Sequence, residues 1–127
     1  MSYREQLQIR DAAVLTTALV ASDSVDVREI KVGEVDFLVV VGTAGSLTQV
    51  DVVPQFSLNG TTWSTIKTES VSSGVSTLYD YTVQETTLTD GTHVPITVPV
   101  RGYFMRVGIK GATVTGSSVT AFALRRG

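Results

Sequence analysis

Apolar and polar residues alternate along most of this chain, which is the pattern of half-buried β-strands. The clearest stretch runs from Val50 to Ile66, where two arms with apolar side chains flank the dipeptide Asn59-Gly60. Asn-Gly is typical of a type I′ hairpin turn, since both of its residues tolerate a positive φ. Trp63, the only tryptophan, lies at the start of the second arm. This stretch predicts an antiparallel β-hairpin, in which Trp63 belongs to the turn and the core.

A second turn signal, Asp90-Gly91, predicts a hairpin between residues 85–89 and 93–98. Pro95 lies within the later arm, and proline cannot donate a hydrogen bond to a neighbouring strand. The arm 93–98 is therefore predicted at the edge of a sheet.

Further strands are predicted from alternation at 12–21, 25–32, 35–41, 47–57, 77–83, 102–110 and 118–124. The first of these also fits a helical period, and strand is favoured because of its β-branched residues. Residues 69–76 are small and polar and predict an exposed loop. Strand 35–41 is apolar on both faces, which indicates cover on both sides. About seven to nine strands without helices predict an antiparallel β-sandwich or jelly roll.

The domain organisation predicted from the same pattern is simple. Residues 1–10 are mostly polar and read as an extended N-terminal arm, and residues 11–127 read as one β-sandwich domain. A length of 127 residues is close to the usual size of one domain. Valine and threonine make up nearly a third of the chain, as expected where β-branched side chains pack on pleated sheets.

Charge and composition narrow the function classes. The net charge of −2 is too weak, and of the wrong sign, to collect nucleic-acid phosphates, so no nucleic-acid partner is predicted. The absence of cysteine fits synthesis in a reducing cytoplasm. The start of the chain lacks the apolar core of a secretion signal, and the longest apolar run is far short of the ~20 residues that cross a bilayer. No export and no membrane partner are expected.

Candidate chemistry is sparse. His93 is the only histidine, so no catalytic triad is suggested. Glu34 and Asp36 share a face of one strand, but no third ligand accompanies them. We therefore expect no enzyme activity, no metal site and no cofactor. An alternative from another class is a carbohydrate-binding module, in which exposed aromatic residues would stack on sugars; the candidates are Trp63, Tyr79, Tyr81 and Tyr103.

The order of several segments resembles the small all-β virion proteins of tailed bacteriophages. A polar start is followed by Ala13-Val-Leu-Thr-Thr-Ala-Leu-Val20, Val39-Val-Val-Gly-Thr-Ala-Gly45, Ser57 to Trp63, Arg101-Gly-Tyr-Phe-Met-Arg-Val107 and a closing Thr/Ala/Val strand. Gly102 is an insertion relative to the Arg-Tyr-x-Arg-Val form of that pattern. The resemblance implies a structural protein of the virion, synthesised in the bacterial cytoplasm. The first interpretation is a capsid decoration (cement) protein, and the alternative is a tail, neck or baseplate accessory protein.

This reading predicts contacts with the major capsid protein or other virion proteins and a homo-oligomer, with a trimer plausible. Strands that are apolar on both faces leave surface that a partner would cover. The interface residues predicted are Tyr3, Arg4, Leu7, Ile9, Arg10, Phe122, Leu124, Arg125 and Arg126. In this hypothesis the arm orders on a neighbouring subunit and the arginines meet acidic capsid surface. Asn59, Gly60, Trp63, Asp90 and Gly91 are assigned to structural turns and core instead.

Overall fold

A computed structural model describes residues 4–30 and 33–126, and this part of the chain contains twelve β-strands and no helix. In chain order the strands are β1 (Arg4–Ala13), β2 (Val20–Ala21), β3 (Val25–Asp26), β4 (Glu34–Thr43), β5 (Gln49–Ser57), β6 (Ser64–Thr65), β7 (Lys67–Ser72), β8 (Val75–Asp80), β9 (Val83–Glu85), β10 (His93–Pro99), β11 (Phe104–Ala112) and β12 (Ser118–Arg126). Every pairing between them is antiparallel. The predicted all-β class is confirmed, with more strand segments than expected.

Two sheets form a sandwich. Sheet A has the order β1-β12-β4-β10, and in sheet B the central strands β11 and β5 are flanked by β2 and β3 on one side and by β6 and β9 on the other. If β2 with β3 and β6 with β9 each count as one interrupted strand, the sheets hold eight positions. The first position pairs with the eighth, the second with the seventh, the third with the sixth and the fourth with the fifth. This is the wrapped hairpin of a jelly roll.

The core lies between the inner faces of the two sheets. Along β4 every second residue from Val35 to Val41 is buried, and Phe37 is the largest fully buried side chain among the described residues. Met105, Val107 and Ile109 of β11 are also buried and belong to the same cluster. In both strands the inner set of alternating residues forms the core, whereas the other face of β4, which was predicted to be covered as well, is only half-buried at Leu38 and Val40.

The segment predicted as an arm is, from residue 4 onward, part of the edge strand β1, which pairs along β12. Gln8 lies opposite Phe122 and Arg10 opposite Ala121, so Ile9 is an extra residue in a β-bulge. The bulge turns Ile9 into the core, where 2 % of it is exposed. The predicted boundary after residue 10 therefore falls inside a strand. Residues 1–3 lie outside the described part of the chain.

The strand predicted at 12–21 is wrong in its middle. β1 ends at Ala13 and β2 begins at Val20, and the residues between them cross from one sheet to the other. Leu15 is buried in the core during this crossing. Leu15 and Leu19 lie over Gly111 and Gly108 of β11, where a β-carbon would collide with them. Residues 14–19, whose apolar spacing fitted both a helix and a strand, instead form a crossover that packs on two glycines of β11.

The type I′ turn predicted at Asn59-Gly60 and the hairpin predicted around Asp90-Gly91 are also wrong. Gly60 and Gly91 have φ angles of +81° and +87°, but neither Asn59 nor Asp90 has a positive φ. Residues 50–66 do form a hairpin, since β5 pairs with β6, although through a longer loop. Around Asp90 there is no hairpin, because β9 pairs in sheet B and β10 in sheet A. The Asp90 carboxylate accepts a hydrogen bond from the Ala44 amide at 2.9 Å, which ties two loops together.

Proline positions agree with their physical constraints. β10, which carries Pro95, is the edge strand predicted for it. Pro54 lies on β5, which is a central strand, although proline within a sheet usually marks an edge strand or a bulge. Its carbonyl accepts from the Ile66 amide, and at this point the neighbouring edge strand is interrupted between β6 and β9. Since proline has no N–H to offer on that side, the interruption occurs where the ladder lacks a donor.

Candidate assembly surfaces

The outer face of sheet A carries an apolar stripe across three of its strands, β12, β4 and β10. Leu38 of β4 lies opposite Phe122 of β12 on one side and Pro95 of β10 on the other. The next row contains Leu124, and Phe122, Leu124 and Leu38 are all half-buried rather than buried. We call this stripe of Leu38, Pro95, Phe122 and Leu124 the sheet A face. It is formed by the residues that alternate with the core set, so the core does not require them.

A shallow depression of about 420 Å³ lies on the sheet A face. Its apolar floor is rimmed by Gln6, Asp36 and Thr97. The Thr97 hydroxyl donates to the Asp36 carboxylate at 2.6 Å, so this side of the rim is held in place across β10 and β4. Aromatic and aliphatic side chains beside polar ones are a combination that also occurs in protein interfaces.

The second surface is a β-hairpin that the sequence pattern does not predict. Residues 69–76, predicted as a loop, belong to a hairpin formed by β7 and β8. Ser73 and Gly74 have φ angles of +52° and +75°, so the two-residue turn is of the I′ class that was expected elsewhere. The available signal was this Ser-Gly dipeptide between Val71 and Val75, but serine seldom adopts a positive φ.

This hairpin projects from the sandwich. Every residue from 67 to 80 is exposed, and within the described chain neither strand pairs with any third strand. Four large hydrophobic side chains on it are 54–65 % exposed: Val71, Val75, Leu78 and Tyr79. A two-stranded hairpin is marginally stable alone in water. Exposed apolar groups and free strand edges therefore occur together on one element.

The base of the hairpin is held by polar contacts. The Tyr81 amide donates to the Ile66 carbonyl at 2.8 Å, and the Lys67 ammonium forms an ion pair with the Asp80 carboxylate. The Thr65 hydroxyl also donates to Asp80, at 2.7 Å. These hydrogen bonds, that from Lys67 first, lower the pKa of Asp80. The charged form of Asp80 is thus the form that the folded hairpin favours.

Replacement of Asp80 by asparagine is expected to loosen the hairpin at neutral pH. A lowered pKa means that the contribution of the carboxylate is present above its ordinary pKa and is lost as the pH falls through the lowered value. Asp80→Asn mimics that loss of charge. We expect faster hydrogen exchange of the amides of residues 67–80, with the amides of β4 and β11 unchanged.

The control for that experiment is Glu69→Gln, which removes a carboxylate from the same face of the hairpin without touching the ion pair at its base. Equal acceleration of exchange in both variants would contradict the role assigned to Asp80. Exchange is measured by mass spectrometry at one neutral pH, because intrinsic rates depend on pH, and is compared at amides that are not adjacent to the substituted residue.

The loop after β5 is stabilised by its own side chains. The Ser57 hydroxyl accepts from the Gly60 amide at 2.8 Å, and the Asn59 side-chain oxygen accepts from the amides of Thr61 and Thr62. Trp63 follows this loop and lies over the Arg106 guanidinium, with 4.1 Å between Cζ and the ring centroid. The side chains of Ser57, Asn59 and Trp63 thus make their contacts within their own chain.

The aromatic residues considered for sugar stacking are spread over different elements. Trp63 stacks on Arg106, Tyr79 lies on β8, and Tyr103 is exposed in the loop before β11. Tyr81 packs against the core at the base of the hairpin. They do not form one platform on a single sheet face.

The Arg106 guanidinium, on which Trp63 stacks, also donates a hydrogen bond to the Gln55 side chain at 2.7 Å, and burial lowers the pKa of Arg106.

Four apolar residues predicted at the interface, Leu7, Ile9, Phe122 and Leu124, divide into two groups. Phe122 and Leu124 are brought together on the sheet A face, joined there by Leu38 and Pro95. Ile9 and Leu7 pack on the core of their own chain instead.

The Arg10 guanidinium donates to the carbonyl of Val119 at 2.9 Å and to that of Val14 at 3.3 Å, so Arg10 fastens β1 to its neighbours. Burial lowers its pKa. Arg4 lies opposite Arg126 at the end of the β1–β12 ladder, with Arg125 beside it. Tyr3 lies outside the described residues. These arginines are therefore placed by sheet pairing rather than by a separate arm.

His93 is exposed on β10, and the described ranges contain no group of three or more His, Cys, Asp or Glu that could hold a metal ion. No described segment is a helix long and apolar enough to cross a membrane. No family model matches the chain, and no curated protein matches it significantly.

Proposed function

We propose that this chain is a structural virion protein of a tailed bacteriophage. More specifically, we propose a capsid decoration protein that binds the outer surface of the mature head and stabilises it. The observation that carries the proposal is the sheet A face, an apolar surface that the fold itself does not use. The order of sequence segments along the chain resembles that of phage virion proteins, and this resemblance supports the same class of function.

The sheet A face has the composition of a binding surface rather than of an incidental patch. Phe122 is an aromatic side chain at its centre, and aromatic residues in well-packed positions dominate the energy of most interfaces. Leu38 and Leu124 extend the apolar area along two neighbouring strands, while Gln6 and Thr97 supply a polar rim. Because Phe122, Leu124 and Leu38 project from the central strands β12 and β4, the rigid sandwich holds them in place. A rigid surface loses little conformational freedom on binding.

The partner in this proposal is the major capsid protein, bound from outside on a completed shell. The chain would be made in the bacterial cytoplasm and would function in the virion. Binding across a boundary between capsid subunits would stabilise the shell by mass action, since a ligand that binds only the assembled form favours that form.

The proposal is tested by sedimentation of the purified chain with expanded heads of the phage that encodes it. We expect the chain to pellet with heads in a fixed ratio, and not with isolated tails. Pelleting with tails alone would move the assignment to a tail, neck or baseplate protein. A chain that pellets with neither particle would overturn the virion assignment.

A variant locates the contact on the chain. Phe122→Ala is expected to weaken binding to heads roughly 30-fold, as for loss of an interface anchor that contributes about 2 kcal/mol. The matched control is Leu58→Ala, which removes an exposed apolar side chain from the loop after β5, away from the sheet A face. Binding by Phe122→Ala equal to that of the control, with both variants folded by circular dichroism, would show that the sheet A face is not the contact.

A further inference from the structure

The outer face of sheet B carries two arginines that stack on aromatic rings. Side chains of β11 alternate, so Phe104 and Arg106 lie on the face opposite the buried Met105. Arg28 lies over the Phe104 ring, with 5.2 Å between its Cζ and the ring centroid. Arg106 lies over the Trp63 ring, where the same distance is 4.1 Å. Each cation is therefore held against the negative face of a ring.

Only one of these two arginines receives a carboxylate from the described part of the chain. The Arg28 guanidinium donates to both oxygens of Asp26, at 2.6 Å from Nη2 and 3.1 Å from Nε. Arg106 donates from Nε to the Gln55 side chain at 2.7 Å. Within residues 4–30 and 33–126 its Nη1 and Nη2 groups have no acceptor, and no carboxylate forms an ion pair with it. The N–H groups at that end of the guanidinium are left to solvent or to a partner.

The missing carboxylate is the reverse of what hydration would favour. The Arg28 side chain is 59 % exposed and has its counter-charge, whereas Arg106 is half-buried and has none among the described residues. Burial also lowers the pKa of Arg106, since a charged group loses hydration when the fold covers it. A partly dehydrated charge without a counter-charge costs free energy, which an external anion would offset.

Arg106 is also held in position before any partner arrives. Gln55 lies directly opposite it on β5 and accepts from Nε, and the Trp63 ring lies against the guanidinium. The free end presents Nη1 and Nη2 side by side, a fork that matches the two oxygens of a carboxylate. A side chain fixed in this way loses little conformational freedom on binding.

We propose that Arg106 binds an Asp or Glu side chain of a partner polypeptide, at a site completed by Trp63 and Gln55. We call these three residues the Arg106 site. Arginine and tryptophan are enriched among the residues that dominate the energy of protein interfaces. The outer face of sheet B points away from the sheet A face, since the core lies between the two sheets. The Arg106 site is therefore a second contact, separate from the surface proposed for capsid binding.

A single uncompensated cation selects this class of partner. The other cation that β11 places on the outer face is Lys110, whose ammonium lies 4.0 Å from the Asp51 carboxylate. Arg28 is neutralised by Asp26, so of these three cations Arg106 is the one left for an external acid. Polyanions such as nucleic acids present rows of charges and bind rows of cations, which this face of the described chain lacks. One acidic side chain of a polypeptide needs only one cation in a surface that excludes water.

The test is the binding of the purified full chain to a dye-labelled hexaglutamate peptide, measured by fluorescence anisotropy at low salt, where surface charges are screened least. We expect saturable binding by the natural sequence. Arg106→Gln should weaken it at least about 10-fold, the effect of losing hydrogen bonds between charged groups. Trp63 is the only tryptophan, so its fluorescence in the natural chain should change with the same midpoint during titration with unlabelled peptide.

Arg28→Gln is the matched control. It removes the same charge from a stacked arginine of the same face, and binding should change little because the Arg28 guanidinium already binds Asp26. Equal weakening by Arg28→Gln and Arg106→Gln, with both variants folded by circular dichroism, would reduce the effect to net charge and overturn the proposal.

Arg106→Lys keeps the test decisive if Arg106→Gln does not fold. It retains the charge against Trp63 but loses the fork, so it should bind the peptide more weakly than the natural chain does. Equal binding by Arg106→Lys would contradict the proposal, as would a natural chain that shows no saturable binding. Tighter binding of a thymidine hexanucleotide than of the peptide would show recognition of phosphate instead of carboxylate, and would also overturn it.

This test and that of the proposed function fail separately. The peptide probe needs no phage particle, so a failure of the Arg106 site would leave the capsid assignment standing. A failure of the chain to sediment with heads would leave the Arg106 site standing in the same way.

Discussion

Replacement of Phe37 by alanine should lower the free energy of unfolding by about 3–5 kcal/mol, the usual range for an aromatic side chain removed from a core. Phe37 is 1 % exposed and lies on the central strand β4, with Ala123 and Ile96 as its neighbours on the flanking strands. Both of those neighbours are smaller, so they cannot close the cavity without moving the strands. A loss of this size is a large part of the 5–15 kcal/mol that stabilises a typical domain.

The control for this variant is the adjacent residue of the same strand. Leu38 points to the outer face, so Leu38→Ala should change the free energy of unfolding by less than about 1.5 kcal/mol, since it empties no enclosed space. Denaturation by urea at equal slope for both variants measures the difference. If Leu38→Ala destabilised the chain as much as Phe37→Ala, the division of β4 into a core face and a contact face would be incorrect.

Gly45→Ala should destabilise the fold by about 1–2 kcal/mol for its left-handed backbone and by about 1–3 kcal/mol more for overpacking. Gly45 has a φ of +56°, and a β-carbon there would lie 2.5 Å from the Thr115 carbonyl oxygen and 2.7 Å from the carbonyl carbon of Gly116. These are backbone atoms, which cannot rotate away as a side chain can. The Ser46 amide donates to the same Thr115 carbonyl at 3.0 Å, so the two turns are fastened together.

Gly91→Ala separates the two contributions. Gly91 has a φ of +87° but no heavy atom within 4 Å of the position that a β-carbon would take. It should therefore show the backbone part of the effect without the collision. Thermal or chemical unfolding of both variants gives the difference, and equal losses would argue against close contact between the turns at 45 and 115.

Much of the sandwich could be predicted from local pattern. The alternation in β4, β11 and β12 predicted these strands to within a few residues, because each has one face in the core and its side chains alternate. β5 was also predicted, although its residues 50–54 are all buried. The edge position of β10 followed from Pro95, since proline cannot serve a strand on both sides.

Turn type was less accessible to sequence. Asn59 and Asp90 use their side-chain oxygens to accept backbone amides, and those bonds stabilise loops other than type I′ turns. The partner of Asp90 is Ala44, which is distant in sequence, so nothing near Asp90 indicates it. The I′ turn that exists, at Ser73-Gly74, uses a serine that local preference disfavours.

The candidate surfaces were predicted in part. Phe122 and Leu124 lie on the face of β12 opposite its buried residues, as strand alternation requires, but their neighbour Pro95 comes from a strand whose position only the sheet order reveals. Ile9 was assigned to an arm because the segment around it is polar. A bulge at that position turns it into the core, and bulges depend on the register with the partner strand rather than on composition.

A period of two along the chain is enough to predict an antiparallel β-sandwich and to tell which side chains of each long strand share a face. The order of the strands, the place of residues 4–13 in the sandwich and the projection of β7 and β8 from it emerge only in the folded chain. These depend on pairings between residues far apart in the chain. A strand carries the same backbone donors and acceptors whichever partner it meets, so its own residues do not identify that partner.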